Sequence, residues 1–389
     1  MGRRLTIVAM AVAIAVWYGG AASAAGLKWV IQPTPDPSMN SALVAVSCAS
    51  ATSCTAVGQY LNTAGRTFTL AEHWNGSSWT VQDTPNPAGS SDRILAAVSC
   101  ASPASCTAAG SYTSSSGESR TLAEHWNGHT WAIQATVRPP GAAAAFLGGV
   151  SCTSAASCTA VGDYDTSAGI TLTLAERWNG RSWAIQPTPS RPGSTATFLS
   201  GVSCVSAASC AAAGQYADSS GNSQTLAEHW NGRAWAVQRT PAPSGPADNH
   251  FLDAISCVSA ASCTASGSSY SSSSGHEVPL AEHWNGRSWA IQPTPSPSGS
   301  PDTFLSGISC ASAASCTASG QYTSSSGREM FTLAEHWDGH SWTIQSTPGP
   351  PGSHFSSLAG VWCATPASCT AAGQYTASSG AELTLAEHQ

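Results

Sequence analysis

The sequence predicts an all-β protein: a seven-bladed β-propeller with four antiparallel strands per blade, its ring closed by pairing of the N-terminal strand with the C-terminal strand. Three observations predict this. Fourteen cysteines fall as seven C-x5-C pairs, and successive pairs lie 52, 52, 52, 53, 53 and 53 residues apart, a period long enough for four short strands. No window after the N-terminal segment keeps a 3.6-residue apolar period, and Gly or Pro interrupts every few residues, so helices are not expected. Third, one repeat is divided between the two ends. The half-hairpin Trp29-Val30-Ile31-Gln32 follows the leader and the other half, Leu385-Ala386-Glu387-His388, ends the chain. Joining them completes a hairpin and leaves no unpaired sheet edge, whereas an open solenoid calls for atypical capping units.

Taken in order, residues 1–25 read as a secretory signal peptide. Arg3 and Arg4 give a basic start, Leu5 to Trp17 an apolar run, and Ala22-Ser23-Ala24 a small-x-small cleavage site. An uncleaved anchor helix is the alternative, but the apolar run is short for a bilayer span and ends in Gly19-Gly20. No second candidate span follows, so none is expected after cleavage. Residues 26–389 are then the propeller, and seven cysteine pairs in a secreted chain point to an extracellular setting.

The second unit shows the internal order. Leu95 to Cys100 (LAAVSC) is strand A, Cys106 to Tyr112 (CTAAGSY) strand B, Thr121 to Trp126 strand C and Trp131 to Gln134 strand D. The A strands carry small residues at their centre, such as Ala96-Ala97, Gly148-Gly149 and Ser200-Gly201. That suits an innermost strand, where the sheets converge. Strands C and D form a hairpin, for which Leu70 to Gln82 is the model. Thr69 to Trp74 and Trp79 to Gln82 are its strands, and Asn75-Gly76 is expected to supply the positive φ angles of a tight turn.

The pattern SC-x5-CTA-x-G…TLAEHWNG-x-x-W-x-[IV]-Q resembles the repeats of secreted bacterial β-propeller proteins, over the whole mature chain. It lacks the Gly-His and Trp-Asp signatures of WD40 repeats and the paired glycines of kelch. Gly128-His129-Thr130-Trp131 is similar to half of the Asp-box turn of sialidase-type propellers, but Trp126 stands where the box has its Asp, so the likeness implies a blade hairpin and not the activity.

The cysteines are the most specific chemical signal. The pairs are Cys48 with Cys54, Cys100 with Cys106, Cys152 with Cys158, Cys204 with Cys210, Cys257 with Cys263, Cys310 with Cys316 and Cys363 with Cys369. In each, two residues flank a five-residue turn between antiparallel strands, close enough for a disulfide inside one blade. Zinc would need four ligands together, and neither a metal nor a cofactor is expected. The LAEH segments set a Glu beside a His six times, at Glu72-His73, Glu124-His125, Glu228-His229, Glu282-His283, Glu335-His336 and Glu387-His388, and Glu176 beside Arg177 once. Adjacent strand residues point to opposite faces and cannot act on one atom together. Ties between neighbouring blades are expected of them instead. The thirteen repeated tryptophans, Trp29 to Trp342, are expected to pack blade against blade, a sugar-stacking array being the alternative.

Charge excludes one class of partner. Lys28 is the only lysine, charged residues make up 9% of the chain and the net charge is -7, so a nucleic-acid partner is not expected. No G-x-S-x-G, H-E-x-x-H, P-loop or EF-hand motif is present.

Function is therefore expected where the repeats differ, in the D-to-A and B-to-C connections, which open on one face. Arg93, Arg138, Arg191, His250, His276, Arg328 and His354 vary there from blade to blade and are the candidate ligand contacts. Phe146, Phe198, Phe251 and Phe304 stand just before strand A at one equivalent place, with burial under the loop as the blander reading. A secreted, monomeric binding or interaction module for a glycan or an extracellular protein is expected. The alternative is a glycan-active hydrolase or lyase with its site at the axial mouth, built from loop acids among Asp92, Glu118, Asp163, Asp165, Asp218, Asp248, Glu277, Asp302 and Glu329.

Overall fold

The computed structural model describes residues 28–38, 40–189, 191, 193–243 and 248–389; the expected signal peptide lies outside them. The described residues form 28 strands and no helix. Ser41–Ser50, Ser53–Leu61, Thr67–Trp74 and Trp79–Gln82 are strands A to D of the first antiparallel sheet. Five sheets have this four-stranded form, and the remaining eight strands make two more quartets joined by one parallel bridge, Met330 to Phe355. The last quartet draws on both ends of the chain: Val30–Gln32 pairs antiparallel with Glu382–His388, setting Val30 opposite His388 and Gln32 opposite Ala386. The strand count fits seven blades.

Each A strand is bulged after its buried leucine, between Leu43 and Ala45 in the first blade and between Leu252 and Ala254 in the fifth. A bulge adds one unpaired residue and re-aims it. Those residues, Val44, Ala96, Gly148, Ser200, Asp253, Ser306 and Ala359, line one cavity of about 170 Å³ to which all seven A strands contribute. Small side chains are required there. The Cβ position of Gly149 lies 3.1 Å from the Gly201 Cα of the next blade. The glycine of each CTA-x-G segment has a different cause: a Cβ on Gly58 would sit 1.9 Å from the Ala42 carbonyl oxygen, because strand A crosses directly over it.

The core is a series of interfaces between blades. Val161 and Ala175 of the third blade pack with Leu199, Val202 and Leu226 of the fourth, all buried, and the same grouping recurs around the molecule. Burying one such leucine contributes roughly 1.5–3 kcal/mol. The D-strand tryptophans are buried as expected, and each indole N–H donates to the D-strand glutamine of the preceding blade. Trp131 bonds Gln82 at 2.8 Å and Trp183 bonds Gln134 at 2.9 Å. Trp79 bonds Gln32 at 2.8 Å and Trp29 bonds Gln345 at 3.0 Å, so the ties continue through the strand supplied by the N-terminus.

Seven disulfides join the cysteines as expected: Cys48 to Cys54, Cys100 to Cys106, Cys152 to Cys158, Cys204 to Cys210, Cys257 to Cys263, Cys310 to Cys316 and Cys363 to Cys369. The two residues of each lie directly opposite in strands A and B. Their setting differs from that of an exposed turn. The B-strand members Cys54, Cys106, Cys158, Cys210, Cys263, Cys316 and Cys369 are all buried. Six of these sulfurs meet a B-strand threonine hydroxyl of the preceding blade: Thr370 at Cys54, Thr55 at Cys106, Thr107 at Cys158, Thr159 at Cys210, Thr264 at Cys316 and Thr317 at Cys369, while Cys263 packs with Ala211. The bridges therefore belong to the interfaces between blades as well as to single blades.

Two local expectations are corrected. The C–D connection is the four-residue loop Asn75 to Ser78 that the strand bounds left, but the Asn-Gly pair does not supply two positive φ angles. Only Gly76 has positive φ (93°), while the Asn75 carboxamide accepts from the Ser77 and Ser78 amides. The LAEH histidines tie strands within a blade, as in Thr107 to His125 Nδ1 at 3.3 Å. Arg177 follows the expectation, since its guanidinium donates to the Ala207 carbonyl of the next blade at 2.6 Å.

Candidate ligand-binding face

The D-to-A linkers and B-to-C loops lie together on one face, and clefts open there beside the C and D strands. In the fourth blade Tyr216, Gln224, Val237, Arg239, Pro241 and the linker residue Arg191 line a cleft of about 510 Å³. In the fifth, His276, Val278, Ile291, Pro293 and Thr294 line one of about 400 Å³, and in the second Tyr112, Arg120, Thr136 and Arg138 line one of about 120 Å³. On the opposite face a recess by Cys263 and Trp284 holds about 10 Å³. The clefts occupy corresponding places because each is built from the same strand positions. The residue two before the buried leucine of strand C is Arg120, Gln224 or Val278, and it changes the chemistry while the backbone stays the same.

The seven candidate contacts do not gather in one site. Arg93 is buried (5% exposed): its Nε donates to Ser90 Oγ at 2.6 Å, its Nη1 to the Thr67 carbonyl at 3.0 Å, and its guanidinium covers the Phe68 ring at 4.7 Å. His250 is buried too (4% exposed), with Nδ1 3.0 Å from Ser269 Oγ. Both therefore depart from the expected exposed position, and strand alternation is the reason. Each stands two residues before the buried leucine of strand A and shares its inward face. Arg138 is taken up by Glu118 (3.2 Å) and by the Ala142 carbonyl. His276 lies 3.5 Å from Asp302 and His354 3.2 Å from Glu329, both well exposed, and Arg328 is exposed. Arg191 lies over the Tyr216 ring, 3.6 Å from its centroid, and donates to the Tyr216 hydroxyl at 2.8 Å. Phe146, Phe198, Phe251 and Phe304 are half-buried.

The loop acids separate into two groups. On the third blade, burial and the charge of Asp165 push the Asp163 carboxyl up to about 7. On the fifth, Glu277 accepts a short hydrogen bond from Ser268, and burial followed by the charge of Asp302 raises its pKa. Asp253, absent from the expected acids, stands in the wall of the central cavity, open to solvent yet ringed by protein. That confinement, with the Glu277 charge second, pushes its carboxyl up to about 6. Arg239 and Tyr216 were also missed. Arg239 directly follows strand D, two residues before the linker proline Pro241. Among the described residues no cluster of three or more His, Cys, Asp or Glu side chains is arranged to hold a metal ion, and no helix is long and apolar enough to cross a membrane.

The LAEH carboxyls are not among the residues lining these clefts. Glu72, Glu124, Glu228, Glu282, Glu335 and Glu387 are fully buried between blades, and burial pushes each up to about 8. Glu176 is pushed only to about 7, and it alone accepts a backbone hydrogen bond, from Val137 N–H at 3.3 Å. Proline fills the position of Val137 in the other six linkers, at residues 35, 85, 189, 241, 295 and 348, and has no N–H to give.

Neither a protein-family model nor a curated protein matches the chain. Solved structures do. A polysaccharide lyase, an ulvan lyase bound to a GlcA-Rha3S unit, is similar at TM-score 0.59 and 8% identity, over 87% of this chain and 90% of that one. Trypanosoma rangeli sialidase is similar at TM-score 0.44 and 10% identity, over 89% of this chain but 54% of its own. A mutant of AofleA from Arthrobotrys oligospora is similar at TM-score 0.45 and 12% identity, over 83% and 91% of the two chains. This chain thus spans about half the length of that sialidase. The likeness to the lyase, at this identity, places the chain among propeller-like all-β folds and assigns no activity.

Proposed function

We propose that the protein is a secreted, monomeric binding module: seven blades closed into a ring by the paired termini, carrying an extracellular glycan or protein ligand on the face of the D-to-A and B-to-C loops. The observation that carries this reading is the contrast between faces. Clefts of about 400 and 510 Å³ open on the loop face, within the size range of ligand sites, while the recess by Cys263 and Trp284 on the hairpin face holds about 10 Å³. The lining of those clefts changes from blade to blade, which suits an asymmetric ligand. Pairing of the termini supports closure, and seven disulfides support an oxidising compartment.

One observation favours a second reading, a glycan-active hydrolase or lyase at the axial mouth. Asp253 faces the central cavity and shares its field with Glu277, and paired carboxyls of raised pKa are the groups glycosidic cleavage uses. A polysaccharide binding screen with product analysis separates the two. Binding without products, abolished by substituting Arg138, Arg191 and Arg328 but not the hairpin-tip residues Arg181, Arg233 and Arg287, supports the binding module. New reducing ends or unsaturated products lost in Asp253→Asn support the enzyme, and loss of binding in the hairpin-tip set alone refutes the assigned face.

A further inference from the structure

The clefts of the loop face differ in how their charges are answered. In the second blade Glu118 holds both arginines, Arg120 at 2.7 Å and Arg138 at 3.2 Å, so that cleft carries no free cation. In the fifth, His276 stands beside Asp302. In the fourth, Arg191 and Arg239 line the same cleft, and among the described residues neither has a carboxylate within 4.0 Å. The nearby acid Asp218 is already engaged by the Gln224 amide at 3.1 Å and by the Ser220 and Asn222 backbone amides. Two guanidinium groups thus face one concavity with no anion of the chain's own.

The geometry points to an anionic saccharide, a sugar bearing a carboxylate or a sulfate, as the ligand of this fourth-blade cleft; the inference rests on the loop face being the binding face. Arg191 is fixed for the task. Stacking on Tyr216 and the bond to its hydroxyl orient the guanidinium and leave Nε and Nη1 to donate, and a planar guanidinium engages a carboxylate or sulfate through two parallel hydrogen bonds. Arg239 is exposed and free to close on the ligand from the D-strand side. The remaining lining is that of a sugar site. Gln224 donates to Asp218 and keeps its carbonyl oxygen for a hydroxyl, while Val237, Pro241 and Ala242 supply an apolar wall for ring carbons. An acidic peptide would match the charge but not this division of polar and apolar walls.

The test is calorimetric titration of the full chain, expressed with its own leader, with tetragalacturonic acid, its carboxyl-reduced neutral counterpart, a sulfated galactan tetrasaccharide and tetraglutamate. Binding of one or both anionic saccharides is expected, weakening as NaCl is raised. Affinity should drop about tenfold or more for the neutral tetrasaccharide and in R191Q/R239Q, the scale of lost charged hydrogen bonds. The single variant Arg239→Gln, at an exposed position, should show part of that loss with an unchanged melting temperature. The two anionic saccharides distinguish carboxylate from sulfate recognition. Equal binding of the neutral sugar, full binding by R191Q/R239Q, or binding of tetraglutamate alone overturns the inference while leaving the loop face as the binding face. Saccharide binding lost only in the Arg181, Arg233 and Arg287 variants overturns that wider reading instead.

Discussion

A carboxyl group buried without a charged partner is expected to keep its proton, and this protein repeats that situation at every blade interface. Glu124 is fully buried and desolvation holds its pKa at about 8, well above the ordinary carboxylate value. Because the folded state holds a proton that the unfolded state releases, this group's contribution is full below about pH 4.5 and is lost as pH rises through about 8. The half-buried histidines beside these glutamates act in the opposite sense. Burial lowers their pKa, so their contribution is full above pH 6.5 and is lost as pH falls. A single substitution isolates the carboxyl. Glu124→Gln, neutral at every pH, should melt near the parent at pH 5 and gain on it steadily towards pH 8.5, as read by calorimetric scans across that range. A constant offset between the two proteins would show that folding does not raise the Glu124 pKa. Val137→Pro should move Glu176 in the direction of the other six, and an NMR titration of the labelled glutamates showing its pKa raised checks this.

At the scale of strands and loops, the repeat made most positions legible, and the exceptions have local causes. Strands A to D, the cysteine pairing and the buried D-strand tryptophans follow from period and alternation. The hairpin turn differs from expectation in its backbone rather than its length, for only Gly76 of the Asn-Gly pair takes positive φ. Asn75 uses its side chain, not a positive φ angle, to close the loop. Arg93 and His250 were placed outward because they differ between blades, yet their spacing of two from Leu95 and Leu252 already assigned them to the inward face. Asp253 was illegible for the converse reason: a bulge breaks the alternation that would have placed it. The disulfides make an element-level prediction. Each closes a seven-residue loop and should contribute about 2 kcal/mol on the chain-entropy estimate. Reduction should therefore lower the melting temperature stepwise, and non-reducing peptide maps should contain only the seven intra-blade pairs. Any bridge between blades would contradict the register in which each cysteine faces its partner.

For the whole molecule, the proposed reading makes repetition the scaffold and variation the binding surface, and both depend on the proposed ring holding its shape. The tryptophan–glutamine ties cross every neighbouring pair of blades, including the two that flank the strand from the N-terminus. Gln134→Leu should leave the buried Trp183 N–H without a partner and cost about 1–3 kcal/mol in denaturant unfolding. Gln32→Leu should cost a similar amount through Trp79 if the last quartet is an equivalent blade. One tie changes at this joint. Ser309 Oγ accepts from the Cys363 amide, as equivalent serines do elsewhere, but Trp362 replaces the next serine and packs against the first blade's core. The most direct measurement removes the strand that joins the ends. Thermal unfolding of the protein lacking Trp29 to Gln32 should show a melting temperature well below the parent's, and a permutant carrying that segment after His388 should recover it. A truncated protein that melts with the parent would contradict a ring closed by its own termini.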